Sequence, residues 1–132
     1  MRVLHVYKNF YPTVGGIENH IRVLCRELVR LGGVEPAVLV ANTTRRTTID
    51  LVDGVPILRA ARLGFAASTP LSVSLVLHMA RQQADITHLH FPYPVGELAY
   101  LLAGQSKRLV VSYHSDIVKQ KKLPDRCPPL IL

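Results

Sequence analysis

The chain has 132 residues, of which 48% are hydrophobic, and it carries a formal net charge of +7. This length suits a single domain whose core needs no disulfide or metal. The two cysteines are far apart and lack metal-type or redox-type spacing, which favours a reduced, cytoplasmic protein. The first apolar stretch is short and interrupted by charges, and no later run reaches membrane-spanning length. We therefore expect neither a signal peptide nor an integral membrane protein.

The basic charge points to a partner that carries phosphate, whether a nucleotide, a nucleic acid or an anionic lipid. The arginines are dispersed, and no helix-turn-helix, zinc-finger or RNA-binding signature accompanies them. Nucleic acid is therefore the weakest of the three. The basic cluster from Lys119 to Lys122 is able to meet an anionic membrane face, although a short basic run is more often a solvated surface.

Hydrophobic spacing and turn signals predict the secondary structure. The predicted elements are, in chain order, a strand over residues 3–7, a helix over 16–31, a strand over 37–41, a β-hairpin over 47–52 and 55–60, a helix over 71–83, a strand over 85–90, a helix over 94–103 and a strand over 108–113. The hairpin turns at Asp53 and Gly54, and Pro56 favours an edge position. Residues 62–69 are predicted as a loop, with Pro70 in the first turn of the next helix. This alternation predicts one α/β domain with a mainly parallel sheet.

Residues 119–132 fit neither a helix nor a polar tail. Three prolines interrupt this segment, and it ends on Leu130, Ile131 and Leu132. An apolar terminus of this kind indicates that something continues or covers it. We expect a fragment, an early stop or a segment that packs on a partner.

Gly15 and Gly16 lie between an apolar strand and an amphipathic helix, in the arrangement of a strand, a loop and a helix N-terminus that hold an anion. Glycines there let phosphates approach the backbone, while the free amides and the positive end of the helix dipole point at them. This predicts a phosphorylated ligand. An alternative of equal weight is that the glycines only serve a sharp turn before an ordinary helix.

Polar side chains follow the last two predicted strands, and ligands of open parallel sheets bind beyond the carboxyl ends of the strands. His114 leaves a very apolar strand and is followed by Ser115 and Asp116, which suit a hydroxyl-rich substrate, so we predict that it contacts a ligand. His88 and His90 share one face of their strand, where a histidine is more often a packed or surface residue. His90 is kept as a candidate substrate contact because it stands at the strand end.

The pair of histidines two residues apart is able to bind a metal, but no acidic or cysteine partner stands at a suitable spacing, so no metal is expected. The sequence also lacks a Gly-x-Ser-x-Gly elbow, a Walker loop and a Gly-x-Gly-x-x-Gly fingerprint. These absences disfavour a hydrolase, a nucleoside triphosphatase and a dehydrogenase.

Three segments taken together, residues 11–18, 85–90 and 110–116, resemble the amino-terminal domain of family-four glycosyltransferases, which have the GT-B fold. They occur in order and at the expected spacing along almost the whole chain. The resemblance implies one Rossmann-like domain over residues 1–132. It also implies a complete enzyme that transfers a sugar from a nucleotide-sugar to a hydroxyl acceptor with retention of configuration. No metal or other cofactor is expected, because the nucleotide-sugar is itself a substrate.

By the same resemblance, Gly15 and Gly16 lie beside the donor diphosphate, and His114 is the catalytic residue that contacts the donor sugar near the reaction centre. Three further residues are expected near the acceptor or donor side: Ser115, Asp116 and Lys119. The family's second domain, which holds most of the donor site, is not in this sequence and is expected as a separate C-terminal half. We therefore expect this chain alone to be inactive or nearly so, since stabilisation of the leaving diphosphate is usually the largest catalytic contribution.

Two alternatives stay open beside the transferase. One is a stand-alone α/β module that binds a nucleotide or phosphosugar without chemistry. The other is a peripheral domain on the inner membrane face that binds anionic lipid through its basic surface, which salt-sensitive vesicle binding would indicate.

Overall fold

The computed structural model describes residues 1–62, 64–66, 69–71 and 73–114. The elements, in chain order, are β1 (Arg2–Val6), α1 (Gly16–Leu31), β2 (Glu35–Ala41), β3 (Thr48–Val52), β4 (Val55–Ala60), β5 (Gly64–Ala66), β6 (Thr69–Leu71), α2 (Val73–Arg81), β7 (Ile86–Phe91), α3 (Pro94–Ala103) and β8 (Arg108–Tyr113). The bounds of α1, α3 and β8 are those that the sequence predicts. Apolar residues at helical spacing, Pro94 at the start of α3 and glycines after both helices define these elements.

Within these residues, six strands form one sheet in the order β3-β4-β2-β1-β7-β8. Every neighbouring pair is parallel except β3 and β4, which form an antiparallel hairpin. The hairpin turns at Asp53 and Gly54, whose φ angles of 53° and 78° are those of a type I′ turn. The predicted α/β domain with a mainly parallel sheet is therefore confirmed.

Helices lie on both faces of the sheet. The ring of His20, on α1, approaches the ring of His90, so α1 covers the face to which His90 points. Gly96, on α3, approaches Val6, which points to the opposite face because it is the next residue after His5. α2 packs against α3, which places both on that second face. The result is a three-layer arrangement of helix, sheet and helices.

The core lies on both sides of the central strand β2. Val38, Leu39 and Val40 are consecutive and fully buried, as expected for a parallel strand with helices on both faces. α1 contributes Ile21 and Cys25 to the core on its side. Burial of this kind stabilises the fold by roughly 1.5–3 kcal/mol for each large apolar side chain.

Three local predictions are wrong. β4 is not an edge strand, because β3 covers one side of it and β2 the other. Pro56 is tolerated because the pairing of β4 with β2 begins one residue later, at Ile57. The predicted loop over 62–69 contains β5, which pairs with β6 in a separate two-stranded sheet. Pro70 therefore lies in β6 and not in the first turn of α2, which begins at Val73.

Gly96 is the point at which α3 comes closest to the sheet. A Cβ there would lie 2.4 Å from Cδ2 of Tyr93 and 3.2 Å from Cγ1 of Val6. Because Tyr93 is fully buried, we expect Gly96→Ala to lower the free energy of unfolding by about 1–3 kcal/mol in urea denaturation. Gly16→Ala is the matched control, since a Cβ at Gly16 would meet no described atom within 4 Å. An equal loss in the two variants would contradict this contact.

Among the described residues, no helix has the length and apolar character needed to cross a membrane.

Candidate functional site

The carboxyl ends of β1, β7 and β8 lie side by side at one edge of the sheet, because the three strands are parallel neighbours. β1 leads into the loop that ends at Gly15 and α1, and β7 leads into the turn before α3. His114 follows β8 directly, and its backbone N–H donates to the carbonyl oxygen of Phe91 at 3.1 Å. The sheet therefore extends its hydrogen bonding as far as His114 and holds this residue at the edge.

Five of the six histidines gather at this edge and form what we call the histidine cluster: His5, His20, His88, His90 and His114. The register explains the gathering. His5 pairs with His88 on the neighbouring strand, and His90 stands two residues further on, so all three share one face. α1 adds His20, whose ring centroid lies 5.2 Å from that of His114. His20 lies one helical turn after Gly16, so the glycine loop and His114 belong to the same crevice.

Hydrogen bonds join most of the cluster. His5 Nδ1 lies 3.1 Å from His90 Nε2, and His90 Nδ1 lies 3.0 Å from His114 Nε2. His88 Nε2 bonds instead to the Ser112 hydroxyl at 2.6 Å. His5 Nε2 is buried without a hydrogen-bond partner in the part of the chain that the structure describes. The three linked rings therefore run from the interior of the sheet to the crevice.

Burial keeps four of the five imidazoles neutral. It lowers the pKa of His5 to about 3, with smaller contributions from His88 and His20. It lowers the pKa of His88 to about 4 and holds the pKa of His90 far below its ordinary value of 6.5. The pKa of His114 is also lowered, mainly by burial and secondarily by His20. At neutral pH the rings of His5, His88, His90 and His114 therefore each have one N–H donor and one acceptor nitrogen.

The sequence identified His90 and His114 as site candidates, and the structure brings the two into direct contact. Sequence reasoning missed His5 and His20. His5 precedes the glycine loop within an apolar strand, and only the register with β7 shows that it faces His88. The apolar spacing of α1 predicts which face packs on the sheet, but it does not show that this face brings His20 next to His114. A histidine inside a buried strand was the one signal available for His5.

The glycine loop gives a mixed result. Gly15 has an extended backbone with φ −166°, which any residue adopts, so its conformation does not require glycine. A Cβ there would lie 2.5 Å from Oε2 of Glu18, but this atom is the end of a flexible side chain that can move aside, so the contact does not require glycine either. A Cβ at Gly16 would meet no described atom within 4 Å, so the first turn of α1 is open to a ligand on that side. The Glu18 carboxylate thus lies against the helix N-terminus at which a phosphate is predicted.

A shallow pocket surrounds this loop. Arg22 supplies its positive charge, and the guanidinium lies 4.1 Å from the ring centroid of Tyr11. Arg22 Nε also donates to Asp53 Oδ2 at 2.8 Å, so part of its charge is balanced by the hairpin turn. The pocket is lined by Tyr11, Thr13, Val14, Gly15, Glu18, Asn19 and Arg22.

Three histidines stand close enough to be considered as metal ligands. One nitrogen each from His5, His88 and His90 lies within 4.8 Å of the others. The sequence offered no third ligand at a suitable spacing, and the structure supplies one from β1. Both ring nitrogens of His90 are already hydrogen-bonded, to His5 and to His114, so a metal ion at this trio would have to break one of these two bonds. The trio is therefore better described as a hydrogen-bonded cluster.

Ser115, Asp116 and Lys119, which the sequence places near the substrate, lie outside the described residues. The same holds for the basic cluster from Lys119 to Lys122 and for the apolar end of the chain. Their predicted roles stay predictions.

The family model for Glycosyltransferase Family 4 matches residues 14–129, which is most of the sequence. The chain belongs to this family. This match confirms the resemblance carried by the glycine loop and the segments around His90 and His114, and it agrees with the Rossmann-like layers of the structure.

Individual members of the family are also similar. The O-antigen chain mannosyltransferase C of Escherichia coli is 38% identical over 98% of this chain and 36% of its own length. The D-rhamnosyltransferase WbpZ of Pseudomonas aeruginosa is 37% identical over 99% of this chain and 35% of its own length. The GDP-mannose:cellobiosyl-diphosphopolyprenol alpha-mannosyltransferase of Komagataeibacter xylinus is 28% identical over 86% of this chain and 30% of its own length. The chain thus spans about a third of the length of these relatives.

Proposed function

We propose that this family-4 chain forms the amino-terminal, acceptor-side domain of an enzyme that transfers a sugar from a nucleotide-sugar to a hydroxyl acceptor with retention of configuration. The observation that carries the proposal is the crevice at the carboxyl ends of the parallel strands. There the first turn of α1 is open to a ligand, and His20, one turn further along α1, contacts the ring of His114. A helix N-terminus suits phosphate, and a neutral imidazole suits a sugar hydroxyl.

The names of the relatives support a particular donor. Two relatives are mannosyltransferases and one is a D-rhamnosyltransferase, and one name specifies GDP-mannose. We therefore propose GDP-mannose or a closely related GDP-deoxyhexose as the donor. In this proposal Gly15 and Gly16 lie beside the diphosphate and His114 contacts the sugar.

We also propose that the chain by itself does not catalyse transfer and needs a separate C-terminal half. The charge that develops on a leaving diphosphate must be stabilised, and this is usually the largest contribution to catalysis. In the described part of the crevice, the positive end of α1 already faces the Glu18 carboxylate, and Arg22 is paired with Asp53. Neither of these two groups is therefore free to stabilise a diphosphate.

The two alternatives from the sequence are weaker, because membership of a glycosyltransferase family favours neither a plain binding module nor a lipid-binding module. The acceptor of one relative is a diphosphopolyprenol by name. We propose on this basis, and on the net charge of +7, that the chain acts in the cytoplasm, at the inner membrane face.

The test of function is a transfer assay with labelled GDP-mannose and a lipid-linked acceptor. A full-length relative is the positive control, and we expect no product above background from the 132-residue chain alone. Robust transfer by this chain would overturn the requirement for a second half. Transfer of a sugar with inversion, in an enzyme that contains the chain, would overturn retention.

Glu18 provides a sharper test of the phosphate site. We expect Glu18→Gln to bind GDP about two- to fivefold more tightly than the parent chain, because it removes a negative charge from the helix N-terminus. Binding is measured by isothermal titration or by amide shifts. Glu27→Gln is the matched control: it makes the same change in net charge on the same helix, at a residue bonded to Arg30. If the two variants gain affinity equally, the effect is one of net charge and the site is not at Gly15.

A further inference from the structure

His90 is the middle ring of a chain of three hydrogen-bonded imidazoles. Its Nε2 faces His5 Nδ1 at 3.1 Å, and its Nδ1 faces His114 Nε2 at 3.0 Å. His5 and His90 are 0% and 1% exposed. Water is therefore unable to replace either partner, and the two bonds must be satisfied by the rings themselves.

Neutral rings leave only two ways to satisfy both bonds. A neutral imidazole has one N–H and one acceptor nitrogen, so His90 must donate through one nitrogen and accept through the other. If His90 donates to His114, then His5 donates to His90 through Nδ1, and His5 Nε2 is an acceptor nitrogen. If His90 accepts from His114, then His90 donates to His5, and His5 Nε2 carries a hydrogen. The direction of one bond thus determines the tautomers of all three rings.

The surroundings of His5, the innermost of the three rings, distinguish the two possible directions of hydrogen bonding. His5 Nε2 is buried and has no partner among the described residues. Among buried backbone groups, an N–H without an acceptor is rarer than a carbonyl oxygen that lacks a donor, and we apply the same order to the ring of His5. The arrangement in which His5 Nε2 carries no hydrogen is therefore the more stable of the two.

We propose that the hydrogen bonds run from His5 to His90 to His114, so that His114 is held as the Nδ1–H tautomer with Nε2 as the acceptor. His5 and His90 are then positioning residues. His114 offers its ligand an N–H donor through Nδ1, and its basic nitrogen is occupied by His90. The identity of that ligand as a sugar rests on the proposed function, whereas the tautomer does not.

The test is the tautomeric state of His114 in the unliganded chain, labelled with ¹⁵N at histidine and measured by long-range ¹H–¹⁵N correlation at pH 7.5. We expect the Nδ1–H form of His114 to exceed the Nε2–H form by about tenfold or more, given the cost of a buried unpaired donor. We expect His90 to be the Nδ1–H form as well. A predominant Nε2–H form of His114, or comparable amounts of both forms, would overturn the proposal.

Two variants test whether the hydrogen bonds among His5, His90 and His114, and not the general packing around them, determine the tautomer of His114. His90→Phe removes both bonds and fills a similar volume, and we expect His114 to relax towards a mixture of tautomers in this variant. His88→Gln is the control, because His88 stacks on His90 but bonds to Ser112 and not to the chain of three rings. His114 should remain the Nδ1–H tautomer in that variant. A mixture of tautomers there would contradict the proposed direction of the hydrogen bonds.

The outcome is independent of activity. The spectrum of the parent chain needs no substrate, so a wrong tautomer would overturn this inference while leaving the transferase proposal intact. Conversely, failure of sugar transfer in the complete enzyme would leave the measured tautomer unchanged.

Discussion

We expect the free energy of unfolding of this chain to fall by about 5 kcal/mol between pH 7 and pH 5. The cause is the trio of His5, His88 and His90, whose pKa values burial holds far below 6.5 in the folded state. In the unfolded chain all three rings regain an ordinary pKa of about 6.5. Below that pH the unfolded state binds more protons than the folded state, so acid favours unfolding.

The direction of this pH dependence and the pH range over which it occurs follow from the difference between the folded and unfolded pKa values. The stability contributed by the neutral rings is fully present above pH 6.5 and is lost as the pH falls towards the folded pKa of His5, about 3. One pH unit costs about 1.36 kcal/mol for each group, so His5 and His90 each lose about 2 kcal/mol at pH 5, and the partly buried His88 loses about 1 kcal/mol. Since small domains have only about 5–15 kcal/mol of stability, this chain should lose a large part of it at mildly acidic pH.

Urea denaturation at intervals between pH 5 and pH 7.5 measures the effect directly. In His5→Leu we expect the loss between pH 7 and pH 5 to be smaller by about 2 kcal/mol than in the parent chain, because one of the three groups is gone. His78→Gln is the control, since His78 lies on α2 outside the histidine cluster. A free energy of unfolding that stays constant from pH 7 to pH 5 in the parent chain would show that His5 and His90 are not buried in the folded state.

The second large effect is expected for Ile57→Ala, which should lower the free energy of unfolding by about 2–5 kcal/mol. Ile57 is fully buried on β4, where it pairs with Val38 of the central strand β2. Truncation removes apolar contact and leaves a cavity between the sheet and α1, which lies on that face. Urea denaturation at pH 7.5 measures the loss.

Ile49→Ala is the matched control for this variant. Ile49 lies on the neighbouring strand β3 but is 71% exposed, so we expect its truncation to change stability by less than about 0.5 kcal/mol. The comparison tests the placement of the hairpin, since β4 lies inside the sheet and β3 at its edge. Similar losses of unfolding free energy in the two variants would mean that Ile49 on β3 is buried or that Ile57 on β4 is exposed.

The order of elements was predictable because local signals agreed with the tertiary structure. Gly16 to Leu31 has apolar residues at helical spacing and glycines after its end, and packing on the sheet uses the same face that the spacing marks. The short sheet of β5 and β6 was missed, because pairs as short as three residues carry almost no periodic signal. The interior position of β4 was missed because Pro56 blocks pairing only at its own residue.

The site was predictable in part. His114 and the glycine loop follow strands in the sequence, so their place at the sheet edge follows from parallel topology alone. The histidine cluster did not follow, because His5 and His88 become neighbours only through the register of β1 with β7. Nor does the sequence show that Glu18 lies against Gly15, since this depends on the side-chain rotamer at the start of α1.

The central claim is that the glycine loop and His114 line a nucleotide-sugar site, and an NMR titration of the ¹⁵N-labelled chain with GDP-mannose tests it most directly. Because only part of the donor site is present, we expect weak binding, with a Kd on the order of 1 mM, about 4 kcal/mol of binding free energy. The amide signals of Gly15, Gly16 and His114 should shift together, while that of Gly104, which lies between α3 and β8 at the amino ends of the strands, should not. Shifts confined to other residues, or none at about tenfold this concentration, would contradict the account.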